Sequence, residues 1–267
     1  FRPVLVLEDL THEEMILFKS KLEELEGFRL EENFKRYYGE GGVFSHALGY
    51  TGRVSPEEIK TNSDYLLTDI SGKNGLEFYY EESLKGKHGV TMMETRAEGG
   101  KGEAVGSTKA VSGNNLNLFL DKDLQEKLTE VMRNTLSSVG VNRAAAVAID
   151  PKSGGVLAIQ SFPLFDSNVF GSRLSMQSYE NIFENKSQPL FNRAVSGAYP
   201  PGSTIKPFLG VAALQEKVVD DKTTVYDNGS ITVGGQEFRG WTPLGAVDIY
   251  KAIAMSSNIF FYTVGGG

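Results

Sequence analysis

The stretch "AYPPGSTIKPFLG" (residues 198–210) constrains this chain more tightly than any other. Pro200 and Pro201 each lock φ and remove a backbone donor, so neither suits a strand or helix interior. With Gly202 they force a turn, and the apolar residues that follow predict a helix beginning at Ser203. Lys206 then lies one turn on and on the same face. A hydroxyl and an amine held that way are either inert or a nucleophile beside its base.

A serine becomes a nucleophile at neutral pH only if a neighbour accepts its proton. The histidines are His12, His46 and His88, all far upstream and read as surface or packing residues. A Ser-His-Asp triad within the second half is therefore excluded unless the first half supplies the ring. Cysteine is absent, which fits an oxidising or extracytoplasmic setting and, with scattered histidines, disfavours a zinc centre. Lys206 remains as the base, if burial among Ile205, Phe208 and Leu209 lowers its pKa. The formal charge of −7 argues against a nucleic-acid binder. The chain has no apolar run of about 18 residues that could span a membrane.

Local patterns divide the 267 residues into two parts. "PVLVL" (3–7) reads as a strand. Thr11 and Glu14 form a capping-box pair ahead of Met15, Phe18, Leu22 and Leu25, an amphipathic helix ending by Gly27. Ser55-Pro56-Glu57-Glu58 starts a second helix, and segments 28–38 and 88–96 read as short strands. The glycine-rich run 97–115 matches no phosphate-binding motif, and is read as a flexible hairpin or interdomain connection. Beyond it, "NLNLFL" (115–120) reads as a strand. Asp121 caps a helix with an apolar face of Leu124, Leu128, Val131, Met132 and Leu136. "RAAAVAID" (143–150) and "GVLAIQSF" (155–162) form a hairpin around Pro151–Gly154. The Ser203 helix, a turn-rich stretch around 220–240 and a helix near 246–256 complete an α+β arrangement.

Downstream of Lys206, "AMSSNIFFY" places Ser256-Ser257-Asn258 in the order S-x-x-K, then S-x-N, the signature of penicillin-binding proteins and serine β-lactamases. "RAVSGAYPPGSTIKP" and "AIAMSSNIFFYTVG" resemble the first two motifs of a class B penicillin-binding protein of the elongation type. "FSHALGYTGRVS" (44–55), "GKNGLEFYYEESLKGKHG" (72–89) and "NLNLFLDKDLQ" (115–125) resemble that family's non-catalytic pedestal and its junction with the catalytic domain. The hairpin at 146–163 resembles the catalytic domain's first two strands.

The resemblance implies an irregular mixed pedestal over 1–112. Residues 113–267 would be the first part of a penicillin-binding-protein/serine β-lactamase-like domain, an antiparallel sheet with helices. It implies a peptidoglycan D,D-transpeptidase that uses no cofactor or metal and binds β-lactams covalently. Ser203 would be the acyl-enzyme nucleophile attacking the penultimate D-alanine carbonyl, and Lys206 its base. Ser256 would relay the proton, and Asn258 would hold the acyl peptide's amide while bonding Lys206. Implied partners are the D-Ala-D-Ala stem peptide, a SEDS-family glycan polymerase and cell-shape scaffold proteins. The location would be extracytoplasmic, with a membrane anchor ahead of Phe1 and the family's K-[ST]-G motif beyond Gly267, so that 1–267 alone would be inactive and poorly soluble. Lys152-Ser153-Gly154 matches K-[ST]-G formally, but it precedes Ser203 and reads as turn chemistry. The Gly-His-Gly segment common in elongation-type relatives is replaced here by "WTPLGAVD" (241–248), which clouds the role of the Trp241 region. Rival readings are a D,D-carboxypeptidase or β-lactamase-like hydrolase, or a non-catalytic β-lactam sensor or scaffold.

Overall fold

The computed structural model describes residues 6–30, 35–66, 68–95, 101–171 and 174–266. They form two compact units, Phe1–Gly197 and Ala198–Gly267. Both mix helices with antiparallel strand pairs, an α+β fold.

In the first unit, α1 (His12–Lys21) starts at the predicted capping box, with the Thr11 hydroxyl accepting from Glu14 N and the Glu14 carboxylate accepting from Thr11 N. Its predicted stripe, Met15, Phe18, Leu22 and Leu25, is half-buried. The α-helix stops at Lys21 and passes into a 3-10 turn, Leu22–Glu24, so it ends before Gly27. A short helix α2 (Ser45–Leu48), strand β1 (Thr51–Arg53), helix α3 (Pro56–Thr61) and strand β2 (Ile70–Gly72) follow. Then come helices α4 (Gly75–Tyr79) and α5 (Glu81–Leu84), and strands β3 (Val90–Thr95) and β4 (Lys101–Thr108). β1 pairs antiparallel with β2, and β3 with β4. Gly49, at φ +81°, sits where an added Cβ would overlap the Asn74 carbonyl, so close chain approach requires glycine there.

The α3 cap doubles as a charge network. Glu58 accepts from Ser55 N (2.6 Å), Lys73 Nζ (2.5 Å) and Ser71 Oγ (2.9 Å). Burial alone would raise its pKa, but Lys73, the Ser55 N–H and the two serine hydroxyls outweigh it and hold the carboxyl at about 2, against an ordinary value of 4.5. A depressed folded-state pKa stabilises the fold above 4.5, and that contribution disappears as pH falls toward 2. Glu58→Gln is expected to destabilise the protein by about 2 kcal/mol at pH 7, the scale of hydrogen bonds to a charged group. Urea unfolding should show the difference from wild type shrinking between pH 4.5 and 2. A constant difference across that window would remove the carboxylate from the account.

Helix α6 (Lys122–Ser138) begins where predicted, with Asp121 Oδ1 accepting from Leu124 N at 2.9 Å. Its buried face departs from the apolar reading. Gln125, Thr129 and Leu136 are buried while Leu124 and Val131 are exposed. The cause lies in β5 (Ala144–Ile149) and β6 (Val156–Phe162), the predicted antiparallel hairpin. Gln125 pairs with β6 as another strand would, donating Nε2 to Ile159 O and accepting Ile159 N at Oε1, both at 2.8 Å. Gln160 in turn bonds the Thr129 hydroxyl, and both glutamines reach Val43 O. The β5–β6 turn confirms the reading of Lys152-Ser153-Gly154, since Asp150 accepts from Lys152 N and from Ser153 N and Oγ. A 3-10 turn (Ser167–Gly171), helix α7 (Met176–Tyr179) and a π-helical turn (Glu180–Glu184) end the unit.

Other expectations are corrected. Residues 115–120 form no strand. The described parts of 3–7 and 28–38 are not strands either, and Phe1–Leu5 and 31–34 lie outside the described residues. The glycine-rich run keeps the hairpin alternative of its reading: it contributes β4, which pairs antiparallel with the preceding strand β3; residues 96–100 lie outside the described set.

The second unit starts with a 3-10 turn (Gly202–Ile205) leading into α8 (Lys206–Gln215). The α-helix proper thus begins at Lys206, three residues later than predicted, because the double proline and Gly202 (φ +58°) enter it through a tighter turn. β7 (Val225–Asp227), β8 (Ser230–Val233), β9 (Gln236–Arg239) and β10 (Gly245–Val247) follow, with β7 paired to β10 and β8 to β9. Helices α9 (Ile249–Ala254) and α10 (Asn258–Gly266) close the unit. Its core is Ala213, Val219, Val247, Ile249, Ala252, Phe260 and Phe261. That core clamps α8, α9 and α10 together, which brings Lys206 to the α9–α10 junction.

Candidate active site

The junction is a helix ending followed at once by a helix start. Ser256 N bonds Ile253 O at 3.2 Å and Ser257 N bonds Ala252 O at 2.9 Å, the paired bonds of a Schellman motif. That motif requires a left-handed residue, usually glycine, at the first position past the cap. Ser256 fills it with φ +52°. Ser257 then caps α10, its Oγ accepting from Phe260 N at 3.1 Å. The S-x-N triplet is therefore a cap and a turn, and also a set of aimed polar groups.

Lys206 is the focus of those groups. Its Nζ lies 2.7 Å from Ser256 O, 3.1 Å from Ser256 Oγ and 2.6 Å from Asn258 Oδ1. It is only 8% exposed, and burial lowers its pKa. Among the described residues no carboxylate pairs with it. Its acceptors are neutral dipoles, which satisfy an ammonium without fixing the charge as an ion pair would. A neutral amine fits as well: two N–H bonds go to Ser256 O and Asn258 Oδ1, and the lone pair can accept a hydroxyl proton. The predicted burial agents do not act, since Ile205, Phe208 and Leu209 are all exposed. Phe261 stands near Lys206 instead, its ring centroid 5.9 Å from Nζ.

Ser203 lies in the 3-10 turn, exposed, and among the described residues its hydroxyl makes no hydrogen bond. Its backbone N–H belongs to the first turn of a helix, where amides lack intrahelical acceptors, so it is available to a developing oxyanion. The structure thus joins Lys206, Ser256 and Asn258 directly, with Ser203 three residues ahead of Lys206 on the helix entry.

Sequence reasoning missed the residues that hold this junction in place. Trp241 donates Nε1–H to Met255 O at 3.0 Å, giving the tryptophan a structural task where the usual motif is absent. Asp227, 1% exposed, accepts from Ser257 Oγ at 2.7 Å and from Gly229 N at 2.8 Å. The turn sequence Asp227-Asn228-Gly229 was the available signal for it.

A helix-entry serine, a buried lysine one turn on, and a downstream S-x-N at a helix junction are the arrangement of the S-x-x-K and S-x-N motif class. The chain belongs to the penicillin-binding proteins. The family's dimerisation domain matches residues 1–118 and its transpeptidase domain residues 144–265. The peptidoglycan D,D-transpeptidase MrdA of Haemophilus influenzae is 34% identical over 274 aligned positions, covering 99% of this chain and 41% of that protein. A solved complex of penicillin-binding protein PBP2 with MreC from Helicobacter pylori matches at TM-score 0.81 and 30% identity, covering 95% of this chain and 46% of that one. A peptidoglycan synthase complex, described as coordinating polymerization and crosslinking, matches at TM-score 0.73 and 30% identity over 96% of this chain and 46% of that one. The chain spans about two-fifths of the length of the curated relative it matches.

Proposed function

We propose that this chain carries the serine and lysine of an elongation-type peptidoglycan D,D-transpeptidase. One observation carries the reading: the buried Lys206 amine is held by Ser256 and Asn258 and by no carboxylate among the described residues. Ser203 Oγ attacks the penultimate D-alanine carbonyl, and Lys206 takes its proton. The tetrahedral oxyanion meets the Ser203 N–H. Ser256 passes the proton from Lys206 to the departing D-alanine nitrogen as the C–N bond breaks, leaving an ester on Ser203. Asn258 has its Oδ1 on Lys206 and orients the acyl peptide. An amine from a second stem peptide then attacks the ester, and Ser203 recovers its proton.

Residues 1–112 serve as the non-catalytic pedestal and 113–267 as the first part of the transpeptidase domain. This division follows the dimerisation and transpeptidase matches more closely than it follows the compact units. No cofactor is required. The relatives solved with MreC and within a peptidoglycan synthase complex support a cell-shape scaffold and a glycan polymerase as partners, and work at the outer face of the cytoplasmic membrane is the location this reading expects. Among the described residues no helix is long and apolar enough to cross a membrane, so an anchor would belong to another segment.

The test uses the protein as its gene encodes it. Fluorescent penicillin should give one adduct, mapped by peptide mass spectrometry to Ser203 and stable for many minutes. Release within seconds would identify a β-lactamase-like hydrolase. Label mapped to any other residue would end the reading.

A further inference from the structure

We infer that Asp227 is a positioning residue for acyl transfer, holding the two acceptors of Lys206 in register through Ser257; this rests on the acylation reading of Ser203. Asp227 ends β7, and its carboxylate is buried without a salt-bridge partner among the described residues. Two donors satisfy it, the Gly229 N–H on Oδ1 and the Ser257 hydroxyl on Oδ2. Ser257 is also 1% exposed, and its oxygen already accepts the Phe260 N–H. Its one hydroxyl proton therefore points to Asp227, and the chain runs one way: Phe260 N–H to Ser257, Ser257 O–H to the carboxylate.

Ser257 lies between Ser256 and Asn258. Those two residues present all three acceptors to Lys206 Nζ. Fixing Ser257 against β7 consequently fixes the carbonyl and hydroxyl on one side of it and the amide on the other. The surroundings argue that this is more than packing. Asp227 is 1% exposed in a unit whose core is built of residues such as Val247, Ala252 and Phe260, and an apolar residue in its place would avoid the desolvation of a buried carboxylate. A carboxylate at this place supplies what an apolar residue cannot, a directional acceptor that leaves the Ser257 oxygen free to cap α10. β7 is itself pinned by its pairing with β10, with Gly245 opposite Asp227, so the carboxylate is anchored to sheet and not to a loose loop.

The experiment separates binding from chemistry in the gene-encoded protein. Penicillin acylation is followed by stopped flow over a range of concentrations, giving the dissociation constant of the initial complex and the acylation rate within it. Three single variants are compared. Asp227→Asn offers one acceptor oxygen where two donors converge. Ser257→Ala deletes the bridge. Ser257→Thr keeps the hydroxyl and serves as the conservative rescue. In Asp227→Asn and Ser257→Ala the acylation rate should fall roughly 10- to 100-fold, the scale of small misplacements of catalytic groups. The dissociation constant should stay within about 3-fold, since no binding contact is removed. Ser257→Thr should retain most of the rate, and Asp227→Asn with Ser257→Ala should cost little more than either alone. A role in folding only would lower the fraction of protein that labels and leave the rate per labelled molecule unchanged; that result overturns the proposal. So does an unchanged acylation rate in both variants while the Ser203 adduct still forms. Absence of a Ser203 adduct in the unsubstituted protein would instead sink the acylation reading, and this proposal with it.

Discussion

Ser203→Ala is expected to abolish covalent penicillin labelling, with turnover of a D-Ala-D-Ala peptide falling on the order of a million-fold, as when the nucleophile of a serine enzyme is removed. The remaining groups cannot compensate. Lys206 has its nitrogen committed to Ser256 and Asn258, and Ser256 Oγ lies 3.1 Å from that same nitrogen with its own backbone N–H already bonded to Ile253 O. Folding should be unaffected, because the Ser203 side chain is exposed and makes no hydrogen bond among the described residues. Gel fluorescence and thermal unfolding on the same preparation decide the matter. Persistent labelling in a folded Ser203→Ala protein would move the nucleophile elsewhere.

Lys206→Arg is expected to lower the acylation rate by about 100-fold or more, the contribution of a positioned general base. Guanidinium keeps the charge but stays protonated at any working pH. It is also planar and longer, and would have to fit a site built for a point donor between Ser256 O and Asn258 Oδ1. The wild-type pH profile should carry the same message. Burial depresses the Lys206 pKa, so the neutral, proton-accepting form persists to lower pH than for a surface lysine. Acylation should then fall as the medium is acidified through that depressed value. In Lys206→Arg the residual rate should lose this acid limb. An arginine variant that acylates nearly as fast as wild type would reduce Lys206 to an electrostatic prop.

The parts of this molecule legible in its sequence are those whose physics is local. Capping boxes at Thr11 and Ser55, the Asp121 cap and the Asp150 turn each satisfy backbone groups within three or four residues, and each stands where the residues indicate. S-x-x-K and S-x-N were legible for the same reason, since each is one helix turn or less. Long-range satisfaction was not legible. The apolar face read for α6 is only part of its buried face, Leu136 buried and Leu128 and Met132 half-buried, because Gln125 completes its hydrogen bonds on Ile159, 34 residues away, and on Val43, 82 residues away. Periodicity counts apolar residues, and an amide whose every group is paired buries as well as leucine does. The same blindness hid Asp227, whose partner Ser257 is 30 residues off. "NLNLFL" failed in the opposite direction: it has strand composition, but no strand pairs with it among the described residues.

Ser256 carries a tension between durability and chemistry. A side chain held at positive φ costs about 1–2 kcal/mol relative to glycine, and the Schellman geometry at the end of α9 gives Ser256 no other conformation. Ser256→Gly would relieve that strain and preserve the backbone carbonyl that Lys206 touches, while removing the hydroxyl proposed above to relay the proton. A laboratory selection for heat resistance alone should therefore enrich glycine at this position and deliver a sturdier protein with a crippled acyl transfer. A selection that also demands cross-linking should hold serine there, and keep the helix ending under load.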